Sequence, residues 1–186
     1  MNAITLPESR DRDFIAQVEK QSGQKAANCY QCGNCTAGCP CNFAYDIPVH
    51  KIMRLLQQGR RQELLSCRSV WLCASCSSCS VRCPNKIDVA HVMDVLRHMA
   101  RREGPAPEYA VKAFTDSFLA SVERNGRAFE MGILATYALK TGRVWTGIDH
   151  APKILPKGKL SPVAHKVKNP EAIARVFQRF REEFGK

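Results

Sequence analysis

No window of this sequence approaches the roughly 18 consecutive apolar residues that a membrane-spanning helix needs. The start, MNAITLPESRDRDF, lacks the basic run and apolar stretch of a secretory leader. The expectation is a cytoplasmic protein without direct membrane insertion. Nucleotide-handling motifs are missing too: there is no G-x-G-x-x-G, no P-loop and no nucleophile elbow, so no flavin, nicotinamide or nucleotide has a visible site. Strand-like alternation is nearly absent, which leaves a mainly α fold. Acidic residues are scarce, 17 Asp and Glu against 28 Lys and Arg, for a formal charge of +11.

That charge invites a nucleic-acid reading, which its distribution argues against. The cations are scattered through GRRQE, RHMARRE and KGKLSP, with no aromatic interleaving and no zinc-finger histidines. The expected partner is an acidic protein or an anionic substrate rather than nucleic acid. With 186 residues, 45% hydrophobic and 24% charged, the chain can bury an ordinary core without covalent staples.

Cysteine is the residue in excess. CYQCGNCTAGCP spans residues 29–40 and CASCSSCSVRCP spans 73–84, so the same four-cysteine spacing returns 44 residues later, from Cys29 to Cys73 and from Cys39 to Cys83. In a reducing compartment such an array reads as metal ligands, not disulfides. A cubane cluster needs four thiolates, and C-x2-C-x2-C wraps three of its corners from one short loop. Where two such runs occur, the fourth cysteine, before proline, ligates the other cluster. The expected ligand sets are therefore Cys29, Cys32, Cys35 and Cys83 for one 4Fe-4S cluster, and Cys73, Cys76, Cys79 and Cys39 for the second. Crossing ties the two halves together and brings the clusters near each other. Pro40 and Pro84, with fixed φ and no N–H, turn the chain away after the remote ligand. Eight thiolates and two cores of about +2 each lower the net charge to roughly +7.

Gly33, Asn34, Ala74, Ser75, Ser77 and Ser78 separate the ligands and let backbone amides reach the sulfurs; the hydroxyls of ASCSSCS would raise the second cluster's potential. Structural zinc is the competing chemistry, but it favours paired C-x2-C knuckles. Cys41 and Cys67 lie outside the array and read as small buried apolar residues, a spare ligand or redox thiol being the alternative. His50, His91, His98, His150 and His165 show no ligand spacing with one another; the first three fall on predicted helices, as structural or solvated residues.

Each cysteine run leads into an amphipathic helix. In DIPVHKIMRLLQQG, Val49, Ile52, Met53 and Leu56 share a face, with Pro48 at its start and Gly59 at its end. In KIDVAHVMDVLRHMARREG, Asp88 caps a face of Val89, Val92, Met93, Leu96 and Met99, and Gly104-Pro105 ends it. These two helices are expected to pack on each other over the cluster loops. Further helices are expected over 8–21 (Phe14, Ile15, Val18), 107–123 (Val111, Phe114, Phe118, Leu119, Val122) and about 127–140, with Gly142 as terminator. Residues 148–170 hold four prolines and read as extended. A last helix starts at Asn169-Pro170-Glu171, with Ile173, Val176, Phe177, Phe180 and Phe184 on one face, either packing on its own core or docking a partner protein. The expected organisation is an N-terminal helical segment (1–24), a cluster-binding domain of two repeats (25–104), and a helical and extended C-terminal region for packing and docking (105–186).

The cysteine runs, GRAFEMGILATYALKTG and KGKLSPVAHKVK together resemble the C subunit of heterodisulfide reductases and their bacterial relatives. The specific part is Gly126-Arg127, Glu130, Tyr137, Thr141-Gly142 and Lys157-Gly158-Lys159. The resemblance implies an α-helical ferredoxin core with two 4Fe-4S clusters, plus an N-terminal helix and a C-terminal helical extension. It implies a non-catalytic electron-transfer role in a complex. The family's A subunit, which holds FAD and iron-sulfur centres, would stand on one side, and its disulfide- or thiol-active B subunit, with Cys-Cys-Gly motifs, on the other. This chain has no two adjacent cysteines, and so lacks the Cys-Cys-Gly motif itself. The alternatives are an electron-transfer subunit of another respiratory-type dehydrogenase, and a metal-stapled, non-redox interaction module.

Overall fold

A computed structural model describes residues 11–143, 158, 161 and 163–184. Helix α1 (Arg12–Ser22) begins where Asp11 accepts a hydrogen bond from Phe14 N at 2.8 Å and stops at Gly23 in the left-handed region. The helix expected over 8–21 thus starts at its cap, which satisfies one of the orphan N–H groups of the first turn; residues 8–10 lie outside those described. Helices α2 (Asn34–Ala37) and α6 (Ser78–Val81) are single turns that carry the third cysteine of each run. The two amphipathic helices are α3 (Val49–Gln58) and α7 (Val89–Glu103). Their predicted faces are buried, and on α7 the buried face is wider, taking in Ala90, Val95 and Ala100. Pro48 stands one position before the first turn of α3, its carbonyl accepting from Lys51 and Ile52 N–H.

Gly59 ends α3 at φ 68°, and a Cβ there would stand 2.6 Å from the backbone nitrogen of Asp11. Both the left-handed turn and this close approach require glycine. Two short helices between the repeats, α4 (Arg61–Ser66) and α5 (Ser69–Leu72), have no counterpart in the sequence reading. They matter to the packing: α4 lies against both α3 and α7, with Leu64 and Leu65 buried, and α5 lies against α7. The two amphipathic helices therefore share one core through α4, while α2 sits on α3 and α6 on α7. Phe14, Val18, Ile52, Met53, Leu56, Leu64, Val70, Met93, Leu96 and Met99 form its centre, each large side chain contributing about 1.5–3 kcal/mol on burial.

Asp46 pins the loop between the first cysteine run and α3 to the start of α5. Its carboxylate accepts from Arg68 N at 2.8 Å, Ser69 N at 3.0 Å, Ser69 Oγ at 2.6 Å and Ile47 N at 2.9 Å. Burial pushes the Asp46 carboxyl up, but these hydrogen bonds outweigh it and leave it below the ordinary carboxylate range. Asp46→Ala takes the acceptor from Arg68 N and from Ser69 N, while the Ser69 hydroxyl keeps Ile47 O at 2.9 Å, an expected loss of about 2 kcal/mol. A carboxylate whose folded pKa is depressed stabilises above its unfolded value of about 3.9 and loses that contribution as pH falls through the lower folded value. Denaturant titrations of wild type and Asp46→Ala are thus expected to differ at neutral pH and to converge as pH drops below about 4.

The chain divides into two compact units, the first ending at Glu108 and the second beginning at Tyr109. In the second, α8 (Tyr109–Asn125) lies against α9 (Glu130–Thr141) and α10 (Pro170–Phe184). Its buried positions are Ala113, Ser117 and Asn125, whereas Phe114 and Phe118 remain 48% and 41% exposed. Small side chains let the helix backbones approach closely, and Ser117 satisfies its own hydroxyl on Ala113 O at 2.7 Å. Phe114 meets Tyr137 edge-on at 6.1 Å between ring centres. Gly126, left-handed at φ 75°, delays the start of α9 past Arg127, and Phe129 N–H donates to Ser121 Oγ at 2.9 Å. Gly142 terminates α9 as expected. Asn169 Oδ1 accepts from Ala172 N at the start of α10, and Arg181 forks onto Glu123 at 2.7 and 3.1 Å. On α10, Ile173 and Phe177 are half-buried but Val176 and Phe180 are exposed. The proline-rich stretch falls mostly outside the described residues. Among those described there is no strand, and no helix is long and apolar enough to cross a membrane.

Candidate iron-sulfur sites

The two cysteine loops repeat in conformation as well as in spacing. The residues on either side of the middle cysteine are left-handed in both: Gln31 (φ 64°) and Gly33 (φ 83°) around Cys32, Ser75 (φ 49°) and Ser77 (φ 62°) around Cys76. Three of these four carry side chains, which seldom adopt that region, so the packed surroundings enforce the curl. Burial follows one order in both runs: the first cysteine half-buried, the second exposed, the third buried, the fourth half-buried. The third cysteines, Cys35 and Cys79, stand on α2 and α6, which pack together. At that contact Arg82 lies across Gly38, its partner in the repeat; a Cβ on Gly38 would come within 2.2 Å of Arg82 Cδ.

One pocket is lined by Cys39, Cys73, Cys76 and Cys79 together, with Cys41, Tyr45, Val49, Ala74, Ser77, Ala90 and Met93. Tyr45 stands among these thiols, and burial first, then Cys73 and Cys39, pushes its pKa up. The other four cysteines are linked through their loops. Burial first, and in smaller part Cys29 and Cys32, raises the Cys35 pKa; burial first, then Cys32 and Cys83, raises that of Tyr30. The chain after Cys83 is fastened in front of Cys29, where Asn85 donates to Asn28 O and Asp88 N–H to Gln24 Oε1 at 3.0 Å.

Polar hydrogens already point at sulfur. Gln31 Nε2 donates to Cys29 Sγ at 3.3 Å and Ile87 N to Cys83 Sγ at 3.4 Å, whereas the Cys76 S–H itself donates to Ser78 Oγ at 3.5 Å. The Ser78 hydroxyl and amide lower the Cys76 pKa, whereas burial raises Cys35 and pushes Cys79 up to about 11. Those two buried thiols keep their protons until metal displaces them. Among the described residues no three His, Cys, Asp or Glu converge tightly enough for a single ion; the pocket's four thiols instead ring a space. Soft thiolates around a small-residue lining, with N–H groups on the sulfurs, fit an iron-sulfur cluster.

Cys67 is buried and its S–H donates to Leu64 O at 3.2 Å, a structural role. Cys41 differs: half-buried, it lines the four-cysteine pocket. His50 bonds Thr36, with Nδ1 2.9 Å from Oγ1; His98 is lowered by burial; His165 lies 3.3 Å from Ser161 Oγ; His150 is outside the described residues. Sequence reasoning passed over Tyr30, Tyr45, Thr36, Ser80 and Asp46. Thr36 and Ser80 had a signal, since a hydroxyl follows the third cysteine in both repeats.

Residues 14–88, from the first turn of α1 to the cap of α7, match a 4Fe-4S dicluster domain. The C subunit of the H2:CoB-CoM heterodisulfide,ferredoxin reductase of Methanothermobacter thermautotrophicus is 28% identical over 170 residues, 89% of this chain and 79% of that protein. This chain is similar to the C subunits of heterodisulfide reductases. The iron-sulfur C subunit of the CoB-CoM heterodisulfide reductase of Methanopyrus kandleri is 34% identical over 111 residues, 55% of this chain and 58% of its own. A protein of Archaeoglobus profundus described as like the heterodisulfide reductase C subunit is 29% identical over 119 residues, 63% and 61%. The likeness to this family extends well beyond the dicluster domain, since 170 aligned residues exceed the matched 14–88.

Proposed function

We propose that this chain is the iron-sulfur electron-transfer subunit of a heterodisulfide reductase-like complex. It stands between one protein that carries flavin and iron-sulfur centres and another that is active on disulfides or thiols. Cys29, Cys32, Cys35 and Cys83 hold one 4Fe-4S cluster, and Cys73, Cys76, Cys79 and Cys39 hold a second. The observation that carries this reading is the pocket in which Cys39 of the first run stands with Cys73, Cys76 and Cys79 of the second. When bound, the clusters supply one-electron acceptor and donor states whose potentials follow sulfur hydrogen bonding and burial. The chain's own part is to hold them: the left-handed turns curl each loop, α2 and α6 bury the third thiol, and Gln31 and Ile87 give hydrogen bonds to sulfur. The exposed Cys32 and Cys76 leave one edge of each site at the surface, where a partner's redox group can approach.

Anaerobically purified protein is expected to carry iron and labile sulfide in equal amounts and to show two reducible, magnetically coupled centres by EPR, with no disulfide reduction by the chain alone. Zinc without labile sulfide, or disulfide turnover by the isolated chain, would overturn the reading.

A further inference from the structure

Gly38 and Arg82 occupy equivalent places in the repeats, directly before the fourth cysteine of each run. Their backbones match: Gly38 stands at φ −98° and ψ 2°, Arg82 at φ −83° and ψ −4°. Their amides match as well, Gly38 N donating to Asn34 O at 3.1 Å and Arg82 N to Ser78 O at 3.2 Å. Neither conformation calls for glycine. Space does: a Cβ on Gly38 would come within 2.2 Å of Arg82 Cδ, 2.4 Å of its Nε and 3.0 Å of its Cζ. The arginine of the second run thus lies on the bare backbone of the first, and the first has no side chain to lay on the second. Among the described residues no carboxylate forms an ion pair with Arg82.

The cysteines that follow Gly38 and Arg82 are the two assigned to cross between the runs. Arg82 is bonded directly to Cys83, and its Cζ, set against Gly38, lies within roughly 9 Å of Cys39 Cα, one residue further on. We infer that Arg82 is a counter-charge shared by both clusters, held at their crossing by the absence of a side chain on Gly38, and that it raises both reduction potentials. The inference rests on the cluster assignment above. Four thiolates on a core of about +2 leave each cluster near −2, and reduction adds one negative charge more. A cation at the crossing favours the reduced form of either cluster and offsets the repulsion between two reduced ones. Arg82 is exposed, so water weakens its field. Near the bulk-water limit a unit charge at such a distance changes each reduction equilibrium about two- to threefold.

Arg82→Gln tests this directly in an EPR-monitored redox titration of the full chain. Both centres are expected to move downward by about threefold in their reduction equilibria, roughly 30 mV each. Arg82→Lys keeps the charge and is expected to keep most of the potential. Gly38→Ala moves the cation without removing it: the added methyl meets a flexible, exposed side chain, which swings away, and both midpoints fall part-way. Added to Arg82→Gln, Gly38→Ala is expected to change nothing further. In about 1 M salt, where the screening length is about 3 Å, the gap between wild type and Arg82→Gln is expected to close. Unchanged midpoints in Arg82→Gln overturn the proposal even if its thermal midpoint falls, because a side chain that only packs moves stability alone. A shift in Arg82→Lys as large as in Arg82→Gln overturns it too, as does a Gly38→Ala shift that persists at full size in the Arg82→Gln background. Protein devoid of iron and sulfide instead refutes the cluster assignment, and this inference with it.

Discussion

On the proposed ligand sets, replacing Cys83 with alanine is expected to empty the site of Cys29, Cys32 and Cys35 and to leave that of Cys73, Cys76 and Cys79 loaded. The expected iron content falls to about half, because a cubane with one protein ligand missing is lost or degraded while the intact thiolate set keeps its own. Half the iron alone does not say which half. Pairing the substitution decides it: Cys83→Ala with Cys32→Ala removes nothing further, since both thiols serve one site, whereas Cys83→Ala with Cys76→Ala removes nearly all. Cys39→Ala gives the mirror result, adding nothing to Cys76→Ala and completing the loss with Cys32→Ala. Middle cysteines are the right partners for this cycle because they are exposed, so truncating them opens no cavity in the core. If Cys83→Ala instead proves redundant with Cys76→Ala, each run holds its own cluster. The shared pocket of Cys39, Cys73, Cys76 and Cys79 would then have no bearing on ligation.

What could be read from sequence was local. The spacing within each cysteine run, Asp88 as cap, Gly59 and Gly142 as terminators and the apolar faces of α3 and α7 all depend on residues within a few turns of one another. What escaped depends on which elements meet. Helices α4 and α5 are too short to show a period, yet they join the two repeats. On α8 the aromatic stripe looked like the buried face, but close helix approach selects Ala113 and Ser117, a choice made by the neighbouring helices. The polar links are of the same kind. Thr36 finds His50 14 residues away and Asp46 finds Ser69 23 residues away, pairings that no motif announces. At the candidate sites the cysteine spacing was legible and the groups around it were not, since spacing is a property of one loop and those groups come from several elements.

Phe14→Ala is expected to cost about 3–5 kcal/mol and to loosen the cluster sites without touching one ligand. Phe14 is fully buried, and Arg61 of α4 stands with its guanidinium 5.3 Å from the ring centre while pairing with Glu103 at the end of α7. One side chain of α1 thus meets the helix that joins the repeats and, through it, the helix that follows the second run. Truncation leaves a cavity in a core that α3, α4 and α7 share, and the cation loses its aromatic face, itself about 0.5–1 kcal/mol. For a unit of roughly 100 residues each kcal/mol lowers the thermal midpoint by about 4 °C or more, so the drop should exceed roughly 10 °C. Bound clusters stabilise the folded state only by mass action, and the same variant should therefore release iron faster in mild denaturant. Phe43→Ala is the control: that ring is 92% exposed in the loop that follows the first cysteine run, and its loss should leave both readouts unchanged. Equal behaviour of the two variants would mean that α1 merely covers the first unit, because a helix that only covers a finished core can lose a side chain without altering how firmly the core grips its ligands.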